Sequence, residues 1–217
     1  MKKAMLLAAT ACVALFALPA VASAGTWHVQ NGTIGFSGTG GVFAFTTASG
    51  SATQCTSKTT AGAYETTTTG WVKYTFHGCT GPFGVHCTTT GQPTGTITTT
   101  KLTFHNVRGP SGEISTLVTP NHDGHFWSAN CFGIVTKVTG NGLMDTLNKS
   151  CGEKSSSATV TFSSTAPGVP SPTQITGAGT QYTLESSTGG GAPVMMSLDS
   201  SESFVFAGGA EQTFECT

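Results

Sequence analysis

Alternation of period two runs through this chain and leaves little room for anything but a β fold. In Trp71-Val72-Lys73-Tyr74-Thr75-Phe76-His77, Val72, Tyr74 and Phe76 share one face, and Lys73, Thr75 and His77 share the other. Ala158-Thr159-Val160-Thr161-Phe162-Ser163 alternates in the same way, and Lys101-Leu102-Thr103-Phe104-His105 puts Leu102 and Phe104 on its apolar face. Successive side chains of a strand point to opposite faces, so this pattern describes half-buried strands. The 40 threonines strengthen it, because a β-branched side chain is stiff at χ1 and suits a pleated surface. Further strand candidates are 42–47, 51–57, 113–119, 125–138, 180–185, 194–198, 202–207 and 212–216. Leu143–Asn148 reads as one helical turn, and no long helical pattern follows residue 24. Asp123-Gly124 reads as the tight turn of a hairpin between 113–119 and 125–132, with Gly208-Gly209 turning the chain before the last strand. The prediction is an all-β fold, an antiparallel β-sandwich or barrel-like domain with almost no helix.

The head of the chain predicts export. Lys2 and Lys3 precede an apolar run to about Val21, and Ala22-Ser23-Ala24 supplies the small-x-small pattern of a cleavage site. Residues 1–24 are therefore read as a secretory signal peptide. No second apolar stretch of about 18 residues follows, so the mature form is expected to have no transmembrane segment. Residues 25–217 read as one secreted β domain: a core at 25–165, a Pro/Gly/Ser-rich loop at 166–180 and a C-terminal β subregion at 181–217. Cys12 falls in the leader, while Cys55, Cys79, Cys87, Cys131, Cys151 and Cys216 remain. An even set in an exported chain predicts a disulfide framework. Six cysteines allow fifteen connectivities. The turn Gly81-Pro82-Phe83-Gly84 favours Cys79–Cys87, and of the three ways to pair the other four, Cys55–Cys131 with Cys151–Cys216 is the expectation taken.

Only 9% of the residues are charged, against about 25% in an ordinary domain, so hydroxyls and backbone must supply the solubility. Without Lys2 and Lys3 the chain carries 7 basic and 10 acidic residues, and Arg108 is its one arginine. Phosphate neutralisation needs clustered Lys and Arg, so nucleic acid is excluded as a partner, and an anionic membrane surface fails for the same reason.

Three stretches together resemble a known family. They are Gln54-Cys55-Thr56-Ser57, Phe76-His77-Gly78-Cys79-Thr80, and Cys87-Thr88-Thr89-Thr90-Gly91-Gln92-Pro93-Thr94-Gly95-Thr96-Ile97-Thr98-Thr99. They are similar to a C-T-S, F-x-G-C, C-T-S-x-G-x-x-x-G-x-I-x-T pattern in a family of uncharacterised secreted bacterial β-rich proteins. Phe126 to Gly133, with Cys131, resembles a later strand of that family. The likeness covers about 50–165; Cys151 and Cys216 have no counterpart in it. It implies a secreted β domain and brings no catalytic residues.

Candidate chemistry is sparse. Asn121-His122-Asp123-Gly124-His125 groups two imidazoles and a carboxylate, but a metal needs a third or fourth ligand and the segment also suits a polar turn. No metal site and no cofactor are therefore expected. A glycoside hydrolase would need two carboxylates flanking a cleft, with Glu113, Asp145 and Asp123 the acids to watch. No Gly-x-Ser-x-Gly elbow or phosphate loop is present. Thr94, Thr96, Thr98 and Thr100 would share a strand face, as in an ice-binding array, although no internal repeat supports one. Trp27, Trp71 and Trp127 could stack on sugar rings if exposed, and Trp127, which shares parity with Ala129 and Cys131, suits a core. Trp71 shares the polar face of its strand and is the candidate ligand contact.

These readings converge on a secreted or cell-envelope-associated domain with a non-catalytic binding or structural role. Its expected partner is a cell-wall or extracellular polysaccharide, or another envelope protein. An extracellular hydrolase is the alternative, and weak metal binding or ice binding is a further one.

Overall fold

The computed structural model describes residues 25–217, and the leader read from residues 1–24 lies outside the described residues. In chain order the strands are β1 (Trp27–Val29), β2 (Gly35–Gly40), β3 (Phe43–Thr47), β4 (Ala52–Cys55), β5 (Ser57–Tyr64) and β6 (Thr69–His77). Next come β7 (Cys87–Thr88), β8 (Ile97–Thr98), β9 (Leu102–Arg108), β10 (Ile114–Thr119), β11 (Trp127–Cys131), β12 (Ile134–Gly140) and β13 (Leu143–Leu147). The last are β14 (Lys154–Ser155), β15 (Ser157–Ala166), β16 (Val169–Ser171), β17 (Leu184–Thr188), β18 (Val194–Phe206) and β19 (Gln212–Cys216). Among the described residues, helix is confined to two 3-10 turns, Pro82–Gly84 and Ala207–Gly209.

Eight strands close a barrel. Antiparallel pairing runs β2-β5-β6-β9-β10-β13-β15-β18 and returns from β18 to β2. Full closure removes the free edges that an open sheet would expose. Inside it, Phe36, Tyr64, Phe104, Phe204 and Phe206 meet ring to ring, with centroids 4.8–6.4 Å apart. β1, β19 and β14 form a small sheet at one end of this barrel. There Trp27 is fully buried, stacks on Phe214 at 5.4 Å and donates its indole N–H to the Ser115 carbonyl at 2.7 Å.

A second ring shares β18. Residues 196–199 of that strand pair with β3 and residues 194–196 with β17; residues 200–206 belong to the barrel. From β17 the ring continues through β12, β11 and β7. From β3 it passes to β4, and single bridges from Thr80 to Gln54 and to His86 close it. Its core holds Phe43, Phe45, Trp127, Val138, Leu184 and Leu198, all buried. One continuous apolar cluster fills both rings.

The cysteines follow from this closure. Through the Thr80 bridges and the Cys87–Cys131 register, Cys55, Cys79, Cys87 and Cys131 stand in one row across adjacent strands. The disulfides are Cys55–Cys79, Cys87–Cys131 and Cys151–Cys216. The sequence reading thus holds for Cys151–Cys216 and fails for the other two. Cys79 and Cys87 are indeed neighbours, joined by a backbone hydrogen bond of 3.1 Å. Bridging them would strand Cys55 and Cys131 three strand spacings apart, about 14 Å, when a disulfide spans under about 7 Å between Cα atoms. Pairing from the two ends of the row uses all four thiols. These are the bonds of a protein that works outside a reducing cytoplasm.

Other local expectations change as well. Leu143–Leu147 is a strand and not a helical turn, because its pairings with β10 and β15 complete the barrel. Asp123-Gly124 is a turn, with Gly124 at φ 62°, yet no hairpin forms around it: β10 pairs within the barrel and β11 in the second ring. The stretch 125–138 holds two strands, and the candidates 194–198 and 202–207 fall on one strand, Val194–Phe206. The threonine row is broken, since Thr96 is buried and only Ile97–Thr98 is extended in pairing.

Candidate functional site

The second ring is unfilled at one end. A cavity of about 290 Å³ opens there, floored by the buried Phe45 and Met196 and walled by Val85, Ile134 and the Cys131 sulfur. Its polar lining residues are Thr47, Ser51, Thr53, Thr136, Ser186 and Thr188, and no ionisable or amide side chain lines it. Its size falls near the lower end of small-molecule sites, which run from about 300 to 1,000 Å³. An apolar wall with a few hydroxyls favours a neutral, mainly apolar occupant, because a charged one would be desolvated with nothing to pair it.

Two phenylalanines stand at its mouth. Phe83 is fully exposed and Phe132 is 86% exposed. Both occupy left-handed backbone, at φ 64° and 55°. Phe132 and Gly133 (φ 83°) form the two-residue turn between β11 and β12, where positive φ at both positions calls for Asn-Gly or Asp-Gly. Phe83 follows Pro82 in the turn closed by the Gly84 amide on the Gly81 carbonyl at 3.2 Å, at the position where Gly or Asn is favoured. Left-handed backbone costs a non-glycine residue on the order of 1–2 kcal/mol. Neither ring recovers that cost by burial in the free protein. The Cys87–Cys131 disulfide lies between the two turns and holds them beside one another.

The barrel interior contains a second polar site. Lys58, Glu202 and Asp145 are buried inside it, with Lys58 Nζ 3.2 Å from Glu202 Oε2. Thr60 donates to the same Oε2 at 2.5 Å, and the Thr116 amide donates to Asp145 Oδ1 at 2.9 Å. Burial lowers the Lys58 pKa, with Glu202 opposing the fall. Burial also raises Asp145 from the ordinary 3.8 to about 8, against its hydrogen bonds from Thr116, so its carboxyl keeps a proton at neutral pH. Asp145 and Glu202 are thus two acids on one cavity, which is the arrangement a hydrolase would need. That cavity measures only about 40 Å³ and lies among core side chains. It has room for about three waters, at the ~10–15 Å³ each requires, and none for a sugar ring.

Asp145 sets a pH dependence. Because the folded state holds the proton more tightly than the unfolded chain does, its contribution is fully present below about pH 4. Stability then falls as pH rises through the window up to about 8, where the folded group also ionises. Urea unfolding across this interval is expected to show that slope, and Asp145→Asn to flatten it. An unchanged slope in the variant would assign the dependence to other groups.

The remaining sequence candidates are dispersed. Trp71 lies half-buried on the outer face of β6 with Lys101 Nζ 4.9 Å from its ring centroid, remote in the fold from the pocket lining. His122, Asp123 and His125 sit in the turn after β10, where the His125 ring bonds the Asp123 carbonyl at 2.8 Å. Among the described residues no group of three or more His, Cys, Asp or Glu side chains is placed to hold a metal. Glu113 is used locally, accepting the Ser111 amide at 3.0 Å. Among the described residues no helix is long and apolar enough to cross a membrane. Neither the pocket rim nor the Lys58–Glu202–Asp145 group is among the sequence candidates as a unit. Comparison with family models, curated proteins and solved structures returns no match to this chain.

Proposed function

We propose that this is an exported binding domain without catalytic function, and that its site is the apolar pocket of the second ring. The observation that carries the reading is the pair Phe83 and Phe132: two aromatic rings held in costly backbone and left in water at the mouth of a neutral cavity. Strain retained at an exposed position points to a use for the side chain there. The occupant that fits is an unbranched apolar chain with an uncharged polar end. Its hydrocarbon would lie against Phe45, Val85 and Met196, its polar end would reach the threonine and serine hydroxyls, and the two rings would close over it. A polysaccharide fits less well, since its many hydroxyls would meet no amide or carboxylate partner in this lining.

Calorimetric titration with 1-decanol tests this. Saturable binding is expected, and the double variant Phe83→Asn, Phe132→Asn is expected to weaken it by at least tenfold, as roughly 1.5 kcal/mol or more of aromatic burial is lost. Phe132→Asn alone is expected to raise folding stability by about 1 kcal/mol, because Asn-Gly suits this turn. Weaker binding from a more stable protein would separate function from folding. Equal affinity in the double variant, or no saturable binding, would overturn the reading. Retention on insoluble cell wall that Trp71→Ala abolishes would move the site to the outer face of β6.

A further inference from the structure

We propose that Lys58 and Glu202 become joined, side chain to side chain, by an amide that the folded chain forms by itself with loss of one water. The two residues lie on β5 and β18, with β2 between them, and Gly40 of β2 is in register with both. A Cβ at Gly40 would lie 3.1 Å from Lys58 Cε and 3.1 Å from Glu202 Cβ. The missing side chain opens the lane by which the lysine reaches across a whole strand to the acid. Nζ then stands 3.2 Å from Oε2, with the two side chains 1% and 3% exposed. The contact falls outside hydrogen-bond angles, and Nζ has no other acceptor. Tyr74 and Phe162 wall it in, with ring centroids 5.3 and 5.2 Å away.

Every participant in a condensation is in place. Burial favours the neutral amine, and moving one proton across the contact converts ammonium and carboxylate into amine and carboxylic acid. The Nζ lone pair attacks Glu202 Cδ and charge develops on Oε1, while Oε2, which carries the transferred proton and accepts from the Thr60 hydroxyl, is the oxygen that leaves. Asp145 shares the cavity with Glu202 and is protonated at neutral pH. It gives its proton, through water in that cavity, to the departing hydroxyl and recovers one from Nζ. The C–O bond breaks, the C–N bond forms, and one water leaves into the space beside Glu202. No oxidant, reductant or activated group is needed. Enforced proximity supplies the drive, since effective molarities of about 10⁵–10⁸ M are reached by well-oriented groups. The product removes two buried charges whose desolvation a salt bridge only partly offsets. Asp145 acts here as the proton carrier and Thr60 as a positioning and polarising group.

The test is the mass of the oxidised mature protein and of its proteolytic peptides. The expected mass is one water below that of the chain with three disulfides, and after reduction the peptide containing Lys58 remains attached to the peptide containing Glu202. Lys58→Met and Glu202→Ala are expected to restore the full mass, and Asp145→Asn to leave an uncross-linked fraction that persists on incubation. Wild-type protein of full mass with two separate peptides overturns the proposal. So does a lost water that maps to any other pair, and neither result depends on whether a variant folds.

Discussion

Glu202→Ala is expected to lower the unfolding free energy by about 3–5 kcal/mol from the stranding of Lys58 alone, to which loss of the proposed Lys58–Glu202 amide would add. The substitution leaves Lys58 inside the barrel without its acid and leaves the Thr60 hydroxyl without its acceptor. The aromatic walls around Nζ offer no replacement partner. The double variant Lys58→Met, Glu202→Leu keeps the volume and removes both charges, so it is expected to be markedly more stable than Glu202→Ala. Denaturant unfolding of the three proteins measures this. If the single variant were as stable as the double, water would have to be reaching Lys58, and the barrel interior would be wetter than its packing indicates.

Trp27→Ala is expected to cost a similar 3–5 kcal/mol, for a different reason. Trp27 is fully buried where the terminal sheet meets the barrel; it stacks on Phe214 within that sheet and joins the sheet to the barrel by bonding the Ser115 carbonyl. Truncation opens a large cavity and removes the indole donor from the Ser115 carbonyl. Trp27→Phe is expected to recover most of the loss, and the remainder to report the hydrogen bond at about 1 kcal/mol. A cost below 1 kcal/mol for Trp27→Ala in denaturant unfolding would mean that β1, β14 and β19 contribute little to the cooperative unit.

Much of the fold is legible in side-chain parity. Val72, Tyr74 and Phe76 face inward, as do Leu102, Phe104, Ala158, Val160 and Phe162, because a closed barrel buries one face of every strand. The same parity also carried a signal for the charged group. Ser200, Glu202, Phe204 and Phe206 alternate on one face, so an acid in register with two buried phenylalanines had to be buried too. Its partners were not legible: Lys58 and Asp145 are distant in sequence and meet only through barrel closure. The pocket rim had a fainter mark. Gly133 interrupts an otherwise strand-like run from 125 to 138, and a glycine there marks a turn. That Phe132 would accept left-handed backbone runs against local preference, which is why alternation alone read straight through it. The cysteine row depended on strand order, which local pattern does not encode.

β18 has a consequence for when this protein can fold. Residues 194–206 are the strand that both rings need in order to close, and in order of synthesis they follow every other strand of the two rings. Until they emerge, β2, β3, β15 and β17 each hold an unsatisfied edge, and the first strand waits for the last, with Trp27 opposite Cys216. Assembly is thus a late and nearly simultaneous event, slow by topology, with the open edges most vulnerable to pairing with other chains just before it occurs.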